Sequence, residues 1–379
     1  MTSDTFDTIV VGAGIVGAAC AAALAADGRR VLVVDASFAA GGTTAAGMGH
    51  LVVMDDSAEQ LALTAYSSRL WAQLADAMSG AAEYERRGTI WIAEDQDQLE
   101  DVHRKKHVYA RAGIACNVLD PRALAEAEPF LRPGLAGGLL VPSDAVVYQP
   151  LATLHLLRAA RARGTTVREG CRVEAIVPHG VRLRDGGVLN AEIIVDAAGA
   201  EASLLVPELP VVPRKGHLVI TDRHPALCNH QLVELGYLTS AHTMTTESVA
   251  FNLQPRATGQ VIIGSSRELV GWDASVNPRI VRLMLMRARD FMPALANATL
   301  LRTWTGFRPA TPDKLPLIGP WEAIPGLWIA AGHEGLGITM ALGTAQLIAD
   351  LIAGRETAID AAPYAPSRVV ATHAVGAAS

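Results

Sequence analysis

The stretch that decides the fold is Phe6-Asp7-Thr8-Ile9-Val10-Val11-Gly12-Ala13-Gly14-Ile15-Val16-Gly17, completed by a second apolar run that ends at Asp35. Thr8–Val11 is a short apolar run of the kind that forms a buried parallel strand. Ile15–Ala26 is apolar and alanine-rich, as a buried helix requires, and 30–34 reads as a second buried strand. A strand–helix–strand unit with glycines at its first turn suits a dinucleotide for physical reasons. Gly12 permits the tight turn, Gly14 lets backbone approach a pyrophosphate, and Gly17 lets the helix lie close on the sheet. The phosphates then meet the positive end of the helix that Ile15 and Val16 begin. Asp35, followed by Ala36, is placed to accept hydrogen bonds from a ribose hydroxyl pair. These residues alone do not separate NAD from FAD.

Outward from this unit, Gly41-Gly42-Thr43-Thr44-Ala45-Ala46-Gly47-Met48-Gly49-His50 is a small-residue run in which backbone can come close to a bulky planar group. Thr43 and Thr44 can donate there to phosphate or ring oxygens. Residues 165–176 read as a strand pair around Arg172-Val173-Glu174, with Val173 at the nucleotide. Ile193–Asp196 reads as a further buried strand ending in Ala197-Ala198-Gly199-Ala200. Two glycine-rich segments close the chain, 306–319 (GFRPATPDKLPLIG) and 326–339 (GLWIAAGHEGLGIT). Leu327–Ala331 reads as a strand and 335–351 as the helix after it. Gly332, Gly335 and Gly337 let backbone N–H groups face a ring, and Leu336, Ile338 and Thr339 belong to the same contact segment. His333, between glycines, positions this loop rather than acting as a base. A mixed sheet is visible in the strand-like runs 88–93, 216–221, 248–253 and 260–264.

These motifs, in this order over residues 6–356, resemble the D-amino-acid-oxidase family of FAD enzymes, which includes glycine oxidase, sarcosine oxidase and amino-acid dehydrogenases. The GHEGLGIT form is most similar to the flavin subunits of hydrogen cyanide synthase, D-hydroxyproline dehydrogenase and opine dehydrogenase. Asp35 stands where that family commonly has Glu, Lys215 where Arg is common, and Glu201 near a position that is often aromatic. The resemblance implies an α/β fold: a Rossmann-like FAD-binding domain from 1–84, 144–212 and 309–366, a mixed β-sheet substrate domain from 85–143 and 213–308, and a flexible tail at 367–379, with fraying expected from about residue 361. It also implies FAD as cofactor. Some relatives tether flavin through a cysteine in the C-terminal half; the last cysteine here is Cys228, well before the flavin-facing C-terminal motifs, so the flavin is expected to be non-covalent.

The chemistry so implied is oxidation of the C–N bond of a small amino or imino acid (D-amino acid, D-hydroxyproline or opine type) by hydride transfer to flavin N5. The negative charge that develops near N1 and C2=O is stabilised by a helix N-terminus aimed there. In glycine-oxidase-like members the arginine matching Arg308 grips the substrate carboxylate in a fork, a geometry that suits Arg and not Lys. Gly306 and Arg308 therefore join the cofactor and substrate contacts, and Tyr237, His242 and His50 are candidates over the ring. Hydride transfer from a neutral amine needs no strong general base. Alternatives are a glycine- or sarcosine-type oxidase that makes peroxide and an electron-relay FAD subunit of a complex. An NAD-dependent dehydrogenase leaves the C-terminal motifs without a purpose. The chain has no iron–sulfur cysteine pattern, so onward electron transfer calls for partner subunits.

Bulk properties agree with a folded cofactor protein. Of 379 residues, 50% are apolar and 18% charged, and the net charge of −6 lies in no long block, so a nucleic-acid partner is not expected. The run His103-Arg104-Lys105-Lys106-His107 reads as a solvated helix face, and none of the four cysteines is in C-x-x-C spacing, so no metal site is expected. Met1-Thr2-Ser3-Asp4 leads straight into the first strand, which predicts no signal peptide and a cytoplasmic location, or one at the membrane periphery through the electron acceptor. The apolar stretch 327–352 is broken by His333, Glu334, Asp350 and four glycines, which argues against an ordinary transmembrane helix.

Overall fold

A computed structural model describes residues 6–78, 80, 82–236 and 247–369. Its first sheet has six strands in the order Leu317–Pro320, Leu327–Ala331, Ile193–Asp196, Thr8–Val11, Val31–Val34 and Thr166–Arg168. All neighbours run parallel except the edge hairpin of Leu317–Pro320 with Leu327–Ala331. A parallel sheet must be covered on both faces. The helix Ile15–Ala26 covers one face, with the C-terminal helix Gly337–Ile352 packed against it. Both helices meet through small side chains, Ala18, Ala21 and Ala25 on one and Ala341 and Ala345 on the other, which allows a close approach. Ala202, Val206, Leu209 and the antiparallel meander Val173–Val177, Gly180–Leu183 and Val188–Asn190 cover the opposite face.

The second sheet has eight strands in the order Leu300–Ala310, Val212–Thr221, Val261–Glu268, Glu247–Pro255, Gln231–Glu234, Thr89–Ala93, Gly137–Val141 and Asn117–Leu119. It is mixed: Gln231–Glu234 runs parallel to Thr89–Ala93, and the other neighbours are antiparallel. The amphipathic helix Pro278–Phe291 seals one face with Ile280, Met284, Ala288 and Phe291, and Phe291 stacks on Phe251 at 4.5 Å between ring centres. The α/β class with a mixed second sheet is the architecture expected from the sequence.

Several local expectations change. Residues 165–176 do not form a strand pair; Thr166–Arg168 joins the six-stranded sheet and Val173–Val177 the meander, with a left-handed Gly170 turning the chain between them. The C-terminal helix starts at Gly337, after a short 3-10 turn at Glu334–Leu336. Lys105 leaves the solvated face of its helix. It is buried between the Trp91 and Tyr109 rings and pairs with Asp55, whereas His103 and His107 are exposed. Residues 362–369 are not frayed. Tyr364 is fully buried and donates to the Glu59 carbonyl at 2.6 Å, and Arg368 pairs with Asp313 at 2.7 Å. The window 334–352 is long and apolar enough to cross a membrane by length and composition, but 56% of it is buried within the protein, against Ile15–Ala26 and Ala58–Met78.

Candidate active site

Between the two sheets lies a cavity of about 670 Å³, lined from one end by Asp35, Arg172 and Glu201, then by the first glycine turn, and at the far end by Met48, His50, Arg308 and Glu334. Each part has a local cause. Gly12 turns the chain out of the first strand with φ +106°, and a Cβ there would lie 2.5 Å from the Ala197 carbonyl oxygen. At Gly17 a Cβ would lie 2.0 Å from the Gly12 carbonyl oxygen, so this glycine serves helix packing and does not line the cavity. The helix that follows Gly14 has no side-chain N-cap and no acidic residue in its first turn, which leaves its positive end available to an anion. Thr44 Oγ1 accepts from the Ile15 N–H at 2.9 Å, which leaves its hydroxyl hydrogen for another acceptor. The Thr43 hydroxyl donates to the Phe307 carbonyl at 2.7 Å, so its hydrogen serves the protein in this structure.

Asp35 is held from two sides, Oδ2 accepting from Ala13 N–H and Oδ1 from Ser37 N–H, both at 2.8 Å. Each oxygen keeps a second acceptor direction. Ala36, Gly42, Val173, Ala198 and Gly199 line the same end and middle. Asp196 fixes the Ala198–Gly199 turn by accepting from Ala198 N–H at 2.9 Å, and burial pushes its carboxyl up to about 7.

The far end is built from two sides. Gln149 and Gln254 donate to the Gly47 and Met48 carbonyls, both at 2.8 Å, and pin the small-residue loop. A Cβ on Gly306 would sit 2.5 Å from Ala46 Cβ, so this approach needs glycine, whereas one on Gly47 would meet only the movable tip of Ile338, Cδ1 at 2.9 Å. Gly49 is left-handed, and a Cβ there would lie 2.0 Å from the Val147 carbonyl oxygen. The C-terminal helix has no N-cap side chain of its own and no acid in its first turn, but the Glu334 carboxylate just before it accepts from the Gly335 N–H; Gly335, Leu336, Gly337 and Ile338 present this start to the cavity. Ser67 and Trp71 fix that start by donating to the Thr339 carbonyl at 2.5 and 3.0 Å. Thr339 itself is buried outside the cavity lining; its hydroxyl donates to the His50 carbonyl at 3.0 Å. Gly332 is also behind the wall, where a Cβ would meet Thr311 Cγ2 at 2.6 Å. His333 lines the cavity but is buried beside Thr344 Oγ1 at 2.9 Å, and burial lowers its imidazole to about 3, so it is neutral there.

Arg308 lies on Leu300–Ala310 opposite Arg214, and its guanidinium passes over Gly216 while Nη1 donates to the Ser266 carbonyl at 2.9 Å. His50 lines the cavity with Nε2 3.0 Å from Thr89 Oγ1, and burial lowers it to about 3. Tyr237 and His242 lie outside the described residues. The sequence reading did not single out Trp91, Asn252, Ser265 or Trp272, all of which line the cavity. Trp272 meets Phe307 edge-on at 5.2 Å, an aromatic pair between segments distant in sequence that no local pattern reveals. Glu334 also lines the cavity; its signal was an acid inside the quoted glycine motif. Among the described residues no group of three or more His, Cys, Asp or Glu is arranged to hold a metal.

The residues fit FAD. A ribose acceptor, a helix N-terminus with no acid in its first turn and a glycine-walled far end with a second helix N-terminus follow one another along one cavity, the order of ribose, pyrophosphate and ring. Asp35→Ala removes the acceptor and orphans the Ala13 and Ser37 N–H groups. It is expected to weaken FAD retention by about 10-fold or more, from one to two hydrogen bonds to a charged group. Flavin content after dialysis checks this, and full occupancy would contradict the assignment.

Known proteins agree with this geometry. D-amino acid dehydrogenase of Xanthobacter autotrophicus is 32% identical over 83% of this chain and 74% of its own length. Hydrogen cyanide synthase subunit HcnC of Pseudomonas aeruginosa is 28% identical over 96% of both chains. The crystal structure of glycine oxidase from Geobacillus kaustophilus superposes with a TM-score of 0.86 at 28% identity, over 95% of this chain and 98% of that one. Residues 7–351 match the DAO family, described as FAD dependent oxidoreductase. With a match over residues 7–351 and a cavity whose glycine turns and helix starts suit FAD, the chain belongs to the DAO family of FAD-dependent amino-acid oxidoreductases.

Proposed function

We propose that this enzyme is a dehydrogenase that oxidises the C–N bond of a small amino or imino acid and hands its electrons to a partner subunit or quinone. The observation that carries the reading is Arg308, a guanidinium lining the cavity beside the start of the C-terminal helix. FAD, when bound, supplies the hydride acceptor. Arg308 binds the substrate carboxylate and fixes the amine-bearing carbon at the far end of the cavity. Met48, Trp91, Trp272 and Phe307 exclude water from that end. His50, neutral at physiological pH, orients the amine without carrying charge into the site. The N-terminus of Gly337–Ile352 would face the flavin ring and offer backbone N–H groups to negative charge there. In this reading the division into 1–84, 144–212 and 309–366 against 85–143 and 213–308 places the six-stranded sheet in the first domain and the eight-stranded sheet, apart from residues 212, 309 and 310, in the second.

The likeness of the GHEGLGIT segment to flavin subunits of multi-subunit dehydrogenases supports a partner, and a cytoplasmic enzyme feeding a membrane-bound acceptor fits the same reading. The second reading, an oxidase, draws on the similarity to a glycine oxidase structure. The isolated holoenzyme is expected to reduce dye acceptors faster than oxygen with a panel of D-amino acids, prolines and sarcosine, and acid precipitation is expected to release all its flavin. Rapid peroxide formation would favour the oxidase, and flavin left on the denatured chain would contradict the non-covalent site.

A further inference from the structure

Three arginines crowd one region beside the far end of the cavity. Arg214 and Arg308 are directly opposed on neighbouring antiparallel strands, a like-charge pairing that disfavours a sheet unless a counter-ion intervenes. Arg267 comes from the next strand over, beside the Lys215–Glu268 register pair. The counter-ion is Glu334, from the turn before the C-terminal helix. Its Oε1 lies 3.5 Å from Arg214 Nη1 and 3.8 Å from Arg267 Nε, with the two arginine side chains 5% exposed and Glu334 15%. Burial acts to raise the Glu334 carboxyl, yet the charges of Arg267, Arg308 and Arg214 hold it below its ordinary value. Lys314 adds a cation to the same neighbourhood; burial lowers it, and Arg267 and Arg214 lower it further against Asp56 and Glu334.

The arrangement has a direction. Glu334 and Arg308 line the cavity, whereas Arg214 and Arg267 do not. Glu334 thus brings its carboxylate to the cavity wall with two buried guanidiniums beside it. We infer that Glu334 determines specificity: its carboxylate already fills the second anion position of the pocket, so the site admits amino or imino acids with one carboxylate and turns away dicarboxylic ones. A second carboxylate would meet a fixed like charge at close range in a poorly hydrated site, an unfavourable juxtaposition. This rests on the reading of Arg308 as the carboxylate clamp.

The test uses FAD-loaded protein and reads ligand binding from the flavin absorbance rather than from turnover. Acetate, propionate and butyrate are titrated against malonate, succinate and glutarate, in the parent and in Glu334→Gln and Glu334→Gly. The first variant removes only the charge. The second also suits the left-handed backbone at this position, φ +49°, so it keeps the turn. The parent is expected to prefer monocarboxylates by about 10-fold or more, and both variants to lose at least about 10-fold of that preference. A parent that binds dicarboxylates as tightly as monocarboxylates overturns the inference without any variant. So does a preference that survives in a variant that retains FAD. If the parent binds no carboxylate at all, the Arg308 clamp fails and this inference with it; a working clamp with an unchanged ratio sinks only the role of Glu334.

Discussion

Replacing Arg308 by Lys is expected to lower kcat/KM for a carboxylated amine by about 30-fold to several thousand-fold, the equivalent of roughly 2–5 kcal/mol, while FAD and fold are kept. The reason is geometric. The guanidinium lies over Gly216 with Nη1 donating to the Ser266 carbonyl at 2.9 Å, and its planar fork matches the two oxygens of a carboxylate. A lysine ammonium is a point charge and cannot hold both the carbonyl and a two-oxygen fork. The corresponding amine without its carboxylate is expected to be a poor substrate of the parent and to lose little in the variant, because it never used the clamp. An arginine that only braces the two strands predicts a different outcome, lower stability with equal loss on both substrates. Steady-state kinetics on the matched pair, with thermal unfolding of both proteins, separates the two.

The second large effect is expected at Gly12. Its φ of +106° is a conformation that L side chains rarely adopt, and a Cβ would be pressed to 2.5 Å from the backbone carbonyl of Ala197. Strain of about 1–2 kcal/mol and overpacking of about 1–3 kcal/mol act on the same residue. Neither can relax cheaply, since both partners are backbone directly after the ends of adjacent parallel strands. Gly12→Ala is therefore expected to lower the apparent Tm by about 3–6 °C and to lose FAD. Gly28→Ala is the control: φ is +82°, but no atom lies within 4 Å of the added Cβ, so only the backbone strain applies. Equal losses at the two positions would show that the close approach at Gly12 is unimportant.

The first unit was legible in the sequence because everything that makes it is local. The strand, the glycine turn, the alanine-rich helix and Asp35 fall within thirty residues, and short-range patterns report short-range structure. The C-terminal segment was legible for the same reason, down to the strand and the helix behind it. What was hidden depends on partners far apart in the chain. Lys105 looked solvated because its companions Asp55 and Trp91 lie outside its helix. Tyr364 looked like part of a tail because the carbonyl it anchors belongs to Glu59. Glu334 was in plain view, but its partner Arg214 lies 120 residues away and the strand pairing that groups the arginines has no local signature. The two strands within 165–176 were recognised but joined wrongly, since a tight left-handed turn at Gly170 sends them to separate sheets.

The central claim, that the flavin end of this cavity oxidises an amine held by its carboxylate, is tested most directly by anaerobic reduction of the purified holoenzyme. The yellow flavin absorbance is followed as small D-amino acids, prolines and sarcosine are added, each beside its decarboxylated amine and beside NADH. The account predicts that at least one carboxylated amine bleaches the flavin within seconds to minutes, that its decarboxylated counterpart does so far more slowly, and that NADH does not. Bleaching by NADH with none by any amine, or equal bleaching by the amine with and without its carboxylate, would contradict it.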